Sequence, residues 1–203
     1  MNNYTNLFTY QFINNKASKT LVLLHGTGGT EQDFLFLNDQ LKSSYNLLGL
    51  RGNIDEGGLQ RFFKRKSVGV FDQENIKLES HNLNLFMLDW MKIHKMNVDQ
   101  FVFLGYSNGA NMILATMFYY PELIKNVVLL RPILPFTPTE KLDLSKNTVL
   151  IHYSTNDELV DVEDSIALIE LLRSFRAHVT FQSYSTGHQL SSSELEHVTT
   201  FLL

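Results

Sequence analysis

The pentapeptide Gly105-Tyr106-Ser107-Asn108-Gly109 constrains this chain more than any other stretch. The apolar run Phe101-Val102-Phe103-Leu104 leads into it, and a helical stretch opens at Ala110. A serine on a sharp strand-to-helix turn is held in a backbone conformation that most residues avoid. Glycines on either side remove the Cβ atoms that would keep strand and helix apart. The helix N-terminus that follows favours negative charge developing beside it. Five residues of this kind also occur as an ordinary Gly/Ser turn, so the flanks carry the chemical meaning.

The rest of the chain repeats one alternation. Short apolar, β-branched runs occur at Leu21–His25, Asn46–Leu50, Phe101–Gly105, Asn126–Leu130, Thr148–Tyr153 and Val179–Tyr184. Leu7–Ile13 precedes them across the turn-like Asn14-Asn15 and reads as an antiparallel edge strand. Helical stretches are predicted at Gln32–Lys42, Ser80–Met96, Ala110–Tyr119, Val162–Arg173 and Ser193–Leu203. In the second, Leu83, Phe86, Met87 and Trp90 share one helix face, which reads as core packing. Strands alternating with helices predict an α/β fold: a mainly parallel sheet with helices on both faces, forming one domain over residues 1–203. Ligands of such sheets bind at the carboxyl ends of the strands.

A serine hydroxyl becomes a nucleophile when a base takes its proton, and that base is usually a histidine oriented by a carboxylate. Four histidines follow Ser107: His152, His178, His188 and His197. The first two fall in or at the start of strands, and His197 falls within a helix. His188, in Ser185-Thr186-Gly187-His188-Gln189-Leu190, follows the last strand directly, where a base can project over the sheet. The acid belongs after a strand between them. Thr148–Tyr153 is followed by Ser154-Thr155-Asn156-Asp157, which makes Asp157 the candidate, with a turn or cap role as its plainer reading. Asp161 and Asp164 lie nearer the next helix, and Asp143 lies at the wrong end of the strand.

The developing oxyanion needs backbone N–H donors. One is predicted from Asn108, the residue after the nucleophile. Thr27, in His25-Gly26-Thr27-Gly28-Gly29 after the first parallel strand, is the second, with Gly28 as alternative. These glycines match neither phosphate-binding pattern, G-x-x-x-x-G-K-[ST] or G-x-G-x-x-G. His25 is read as a brace for the loop.

Composition closes off other classes. With no cysteine, the chain has no disulfide, thiolate metal site or cysteine nucleophile. A net charge of −4 gives no electrostatic pull toward nucleic acid or anionic membranes. The apolar runs are too short for membrane insertion, and the N-terminus lacks a signal-peptide pattern. A cytoplasmic protein is expected, with no nucleic-acid partner and with a homodimer left open.

The linked motifs His25-Gly26-Thr27-Gly28-Gly29, Arg51-Gly52, Arg61-Phe62-Phe63, Val70-Phe71-Asp72, Gly105 to Asn111, Asn156-Asp157 and Gly187-His188-Gln189-Leu190 resemble the phospholipase/carboxylesterase family of α/β-hydrolases. They look most like its bacterial small-esterase branch, which includes hydroquinone-responsive hydrolases. The resemblance implies a Ser107–Asp157–His188 triad, an oxyanion hole from the Thr27 and Asn108 amides, an α/β-hydrolase fold, and hydrolysis of small-molecule esters, lysophospholipids or acyl-thioesters without metal or cofactor, while a chain of this length leaves no room for a large lid. Ser154 and Glu158 depart from the glycine and proline usual beside the acid. A carboxylesterase is the primary reading. An acyl-protein or acyl-CoA thioesterase, a lysophospholipase and a hydrolase-like sensor are its rivals. Arg51, directly after a strand, and Arg61, Phe62 and Phe63, in the irregular stretch Gly57–Phe71, are the candidates for substrate binding. Aromatics would wall the pocket and a guanidinium would meet an anionic group. Lys64 to Lys66 read as a solvated cluster.

Overall fold

The computed structural model describes residues 4–67 and 69–203. Eleven strands occur in chain order: β1 Thr9–Ile13, β2 Lys19–Leu24, β3 Tyr45–Arg51, β4 Ile54–Glu56, β5 Leu59–Arg61, β6 Arg65–Ser67, β7 Val70–Phe71, β8 Phe101–Tyr106, β9 Asn126–Leu130, β10 Thr148–Ser154 and β11 His178–Tyr184. The helices are α1 Asn38–Leu41, α2 Gln73–His94, α3 Asn108–Tyr119, α4 Val162–Ser174 and α5 Ser192–Leu202. Seven strands form the central sheet in the order β1-β3-β2-β8-β9-β10-β11. Edge strand β1 runs antiparallel to β3, and the other neighbours are parallel. This is the α/β-hydrolase arrangement.

Alternate residues of each strand feed two cores, because successive side chains point to opposite faces. Val22 and Leu24 pack with α2, α3 and α4 on one face; Leu21 and Leu23 pack with α1 and α5 on the other. Leu83, Phe86, Met87 and Trp90 of α2 are all buried, as their spacing predicts. Among the described residues no helix is long and apolar enough to cross a membrane.

Three predicted elements differ. The helix predicted over Gln32–Lys42 is reduced to a 3-10 turn and the short α1. Phe34 adopts a left-handed φ of 65°, and its buried ring packs edge-on against Tyr106 at 6.4 Å. That tertiary contact overrides a modest helix propensity. Helix α2 begins at Gln73, earlier than Ser80, because the Asp72 side chain caps it by accepting from the Asn75 N–H at 3.1 Å. The irregular stretch Gly57–Phe71 contains strands of two small hairpins, β4–β5 and β6–β7.

Candidate active site

Four strand ends converge on one point of the sheet. Ser107 lies between β8 and α3 with φ 50° and ψ −113°. A residue with a Cβ is strained there by about 1–3 kcal/mol. The surroundings hold it: the Ser107 N–H donates to Leu130 O at 2.8 Å, and Ser107 O accepts from the Asn111 N–H at 2.9 Å. A Cβ on Gly109 would lie 2.3 Å from Leu24 O, and one on Gly105 would lie 2.6 Å from Ala110 N. Only glycines permit this crossing of β8, α3 and β2.

His188, in the loop after β11, places Nε2 3.0 Å from Ser107 Oγ. Its Nδ1 lies 2.9 Å from Asp157 Oδ2 and 3.0 Å from Oδ1. Asp157 follows β10 with its side chain fully buried, and its Oδ1 also accepts from the Leu159 N–H at 2.8 Å. A carboxylate at Nδ1 holds the proton on that nitrogen and turns Nε2 toward the serine as an acceptor. The rival acids are elsewhere. Asp161 precedes α4, Asp164 is in its first turn, and Asp143 pairs with Arg176 at the surface.

Thr27 and Asn108 both line the cavity beside Ser107, and Asn108 is the first residue of α3. The Gly28 N–H donates to Gln60 O at 2.8 Å, so that amide is engaged and Thr27 remains the donor candidate from this loop. The Asn108 side chain accepts from the Phe62 N–H at 2.7 Å, tying the 52–63 segment to the nucleophile helix. His25 is a brace. Its Nδ1 sits 2.6 Å from Gly26 O, its Nε2 accepts from the Gly52 N–H at 3.0 Å, and burial lowers its pKa, favouring the neutral ring those contacts require.

The substrate-binding candidates separate. Arg61 lines the cavity, which measures about 220 Å³. Phe62 and Phe63 do not form its wall. Both are fully buried, Phe62 against the His25 ring at 4.8 Å and Phe63 against Phe71 at 5.2 Å. Burying a side chain of that size contributes about 1.5–3 kcal/mol, which draws the pair into the core. Phe71 is the aromatic that reaches the cavity. Arg51 is also withdrawn: its Nε bonds Glu31 Oε2 and its Nη2 donates to Glu31 Oε1 at 2.8 Å. This pair holds Glu31 below the usual carboxylate range. Arg65, expected in a solvated cluster, lines the cavity.

Two residues with a clear part in the site are absent from the sequence reading. Arg131 follows β9 with a left-handed φ of 54° and is 1% exposed. Its Nη1 and Nη2 donate to the Glu194 carboxylate at 2.6 and 2.9 Å. Its Nε donates to Gly187 O at 3.1 Å, and its Nη2 also reaches Thr186 Oγ1 and Gln189 O at 3.0 and 3.2 Å. The same Nε lies 3.6 Å from Asp157 Oδ2. One guanidinium therefore clasps the loop carrying His188 and stands beside the acid. Burial alone would raise the Glu194 carboxyl, but hydrogen bonds from Arg131 and the Ser191 N–H outweigh it and hold the pKa below its ordinary value. Both residues left a trace in the sequence. Arg131 sits at a strand end, as Arg51 does, and Ser191-x-x-Glu194 is a capping box opening α5.

A family model described as Phospholipase/Carboxylesterase matches residues 65–203. The protein MhqD of Bacillus subtilis (strain 168) is 36% identical over 180 residues, covering 89% of this chain and 90% of MhqD. Among solved structures, the Bacillus cereus carboxylesterase superposes with a TM-score of 0.91 at 34% identity, covering 96% of this chain and 93% of that one. A Mesorhizobium loti carboxylesterase superposes with a TM-score of 0.90 at 29% identity, covering 97% and 94% respectively.

Proposed function

Because this chain belongs to the phospholipase/carboxylesterase family and has an α/β-hydrolase fold, we propose that it is a serine carboxylesterase acting on small carboxylic esters. The observation that carries the reading is the contact chain Ser107 Oγ, His188 Nε2 and Nδ1, Asp157 Oδ2, with 3.0 and 2.9 Å separations. Ser107 Oγ attacks the ester carbonyl while His188 Nε2 takes its proton. The Thr27 and Asn108 amides receive the oxyanion. His188 then protonates the leaving alcohol, and water repeats the sequence on the acyl-enzyme to release the acid. Asp157 orients the imidazole and stabilises its charged form. A cavity of about 220 Å³ suits a short acyl group and favours small esters over lysophospholipids.

Ser107→Ala is expected to abolish p-nitrophenyl acetate hydrolysis and fluorophosphonate labelling while the circular dichroism spectrum stays unchanged. Full residual activity would sink the proposal. Asp157→Asn is expected to lower kcat by about four orders of magnitude, since the wrong tautomer faces the serine. If Asp161→Asn has that effect and Asp157→Asn does not, the acid is misassigned.

A further inference from the structure

The nucleophile's cavity contains a charge that ester hydrolysis does not use. Arg61 is 4% exposed and lines the same cavity as Ser107, Thr27 and Asn108. Its Nη1 donates to Thr27 Oγ1 at 2.7 Å and its Nε to Phe63 O at 3.3 Å. Among the described residues, Nη2 has no acceptor. The carboxylate nearest to it, Glu56, is shared: Oε2 lies 3.5 Å from Arg61 Nε, and Oε1 accepts from Arg65 Nε at 2.9 Å. Two guanidiniums facing one carboxylate leave a net positive charge on this wall. A donor left open on a guanidinium at a cavity wall is available to an anion that enters the cavity.

We infer that the preferred ester carries a carboxylate at the far end of its acyl chain, received by the Arg61 guanidinium beside Ser107. The inference rests on the esterase reading and narrows its substrate to monoesters of short dicarboxylic acids. Position selects the acyl side. Arg61 is bonded to Thr27, which carries the proposed oxyanion amide, whereas the alcohol leaves toward His188, which does not line this cavity. Of the three charged groups lining the cavity, Arg61, Arg65 and Glu158, the acidic one accepts from the His188 N–H at 3.2 Å, so it repels an anion from the alcohol side. Beside the His188 loop a second depression is lined by Phe34, Phe36, Tyr106 and Leu190 together with Gln32, Asp33 and Gln189, a surface with no cation to receive a carboxylate on the alcohol. The guanidinium fork matches a carboxylate in geometry as well as charge. In the reaction, water adds across the acyl–oxygen bond, the alcohol leaves, and the new carboxyl releases its proton at neutral pH, giving a dicarboxylate.

The test compares kcat/KM for monoethyl glutarate and ethyl pentanoate, equal in acyl length, by pH-stat titration. The wild type is expected to favour the monoester by about tenfold or more at low ionic strength, with the preference shrinking as salt screens the pair. In Arg61→Gln the ratio falls to near unity; in Arg61→Lys part of it survives. An ester with its carboxylate on the alcohol side, 3-(pentanoyloxy)propanoate, gains no advantage. Glutarate competes with ethyl pentanoate in the wild type and pentanoate does not, a readout that holds even if Arg61→Gln fails to fold. Equal rates for the first two esters, a preference for the alcohol-side carboxylate, or equal losses on both substrates in Arg61→Gln would each overturn the inference. Those outcomes leave the esterase reading standing, whereas failure to hydrolyse any of the esters removes both.

Discussion

Arg131 and Arg61 flank the same serine, both almost wholly buried, at 1% and 4% exposure, yet they are satisfied in opposite ways. Arg131 has a carboxylate of its own and three further oxygen acceptors, so every nitrogen of its guanidinium donates to a neighbour. Arg61 has two neutral acceptors and a carboxylate that it shares with Arg65. A saturated buried arginine fixes geometry. An unsaturated one beside a cavity has donors left for a ligand. The same residue type thus serves as a clasp for the loop carrying His188 on one side and as a candidate receptor on the other. The count of acceptors distinguishes the roles, and burial does not.

The sharpest way to break this comparison is to remove each guanidinium and measure stability by urea titration. Arg131→Met strands Glu194 as an uncompensated buried charge and is expected to cost about 3–5 kcal/mol. The charge-balanced double variant Arg131→Met/Glu194→Gln is expected to recover part of that loss. A second probe reads the acid sensitivity of the Arg131 side. His152 is buried, and its Nε2 lies 3.0 Å from His197 Nδ1. Burial, and then the neighbouring His197, push its pKa from 6.5 down to about 4. The folded state therefore holds this ring neutral while the unfolded chain takes up a proton near 6.5. Its contribution is complete above that pH and is lost as pH falls toward 4. His152→Leu is expected to flatten the stability loss over that window, and an unchanged pH dependence would assign the loss elsewhere. The smallest effect is expected from Arg61→Gln, about 1–2 kcal/mol, because it loses hydrogen bonds to neutral acceptors and a long contact to a carboxylate that Arg65 still pairs. If Arg61→Gln costs as much as Arg131→Met, Arg61 is a brace and the contrast between the two walls fails.

The residues that meet at the site were legible because strand ends are legible. Ser107, Asp157 and His188 each follow an apolar run directly, and parallel strands deliver such positions to one edge of the sheet. The elbow was legible because only glycine fits where β8, α3 and β2 cross. The lining of the cavity was less legible. Phe62 and Phe63 sit beside Arg61 in the chain, just past β5, but the pull of the core sends both inward. Arg51 and Arg131 both follow strands, and nothing local shows that one turns to Glu31 and the other to the catalytic loop.

By itself the sequence determined the alternation of the seven central strands with helices, the serine between Gly105 and Gly109, and the positions of Asp157 and His188 past strand ends, since these depend on local periodicity and on residues a few positions apart. The tertiary structure alone decided which cations are satisfied. Arg131 finds its carboxylate 63 residues away, and Arg61 finds the Thr27 hydroxyl 34 residues away. No local pattern encodes such pairings. They follow from how the whole sheet brings loops together, and only there does Arg61 line the cavity beside Ser107 with one guanidinium nitrogen that has no acceptor among the described residues.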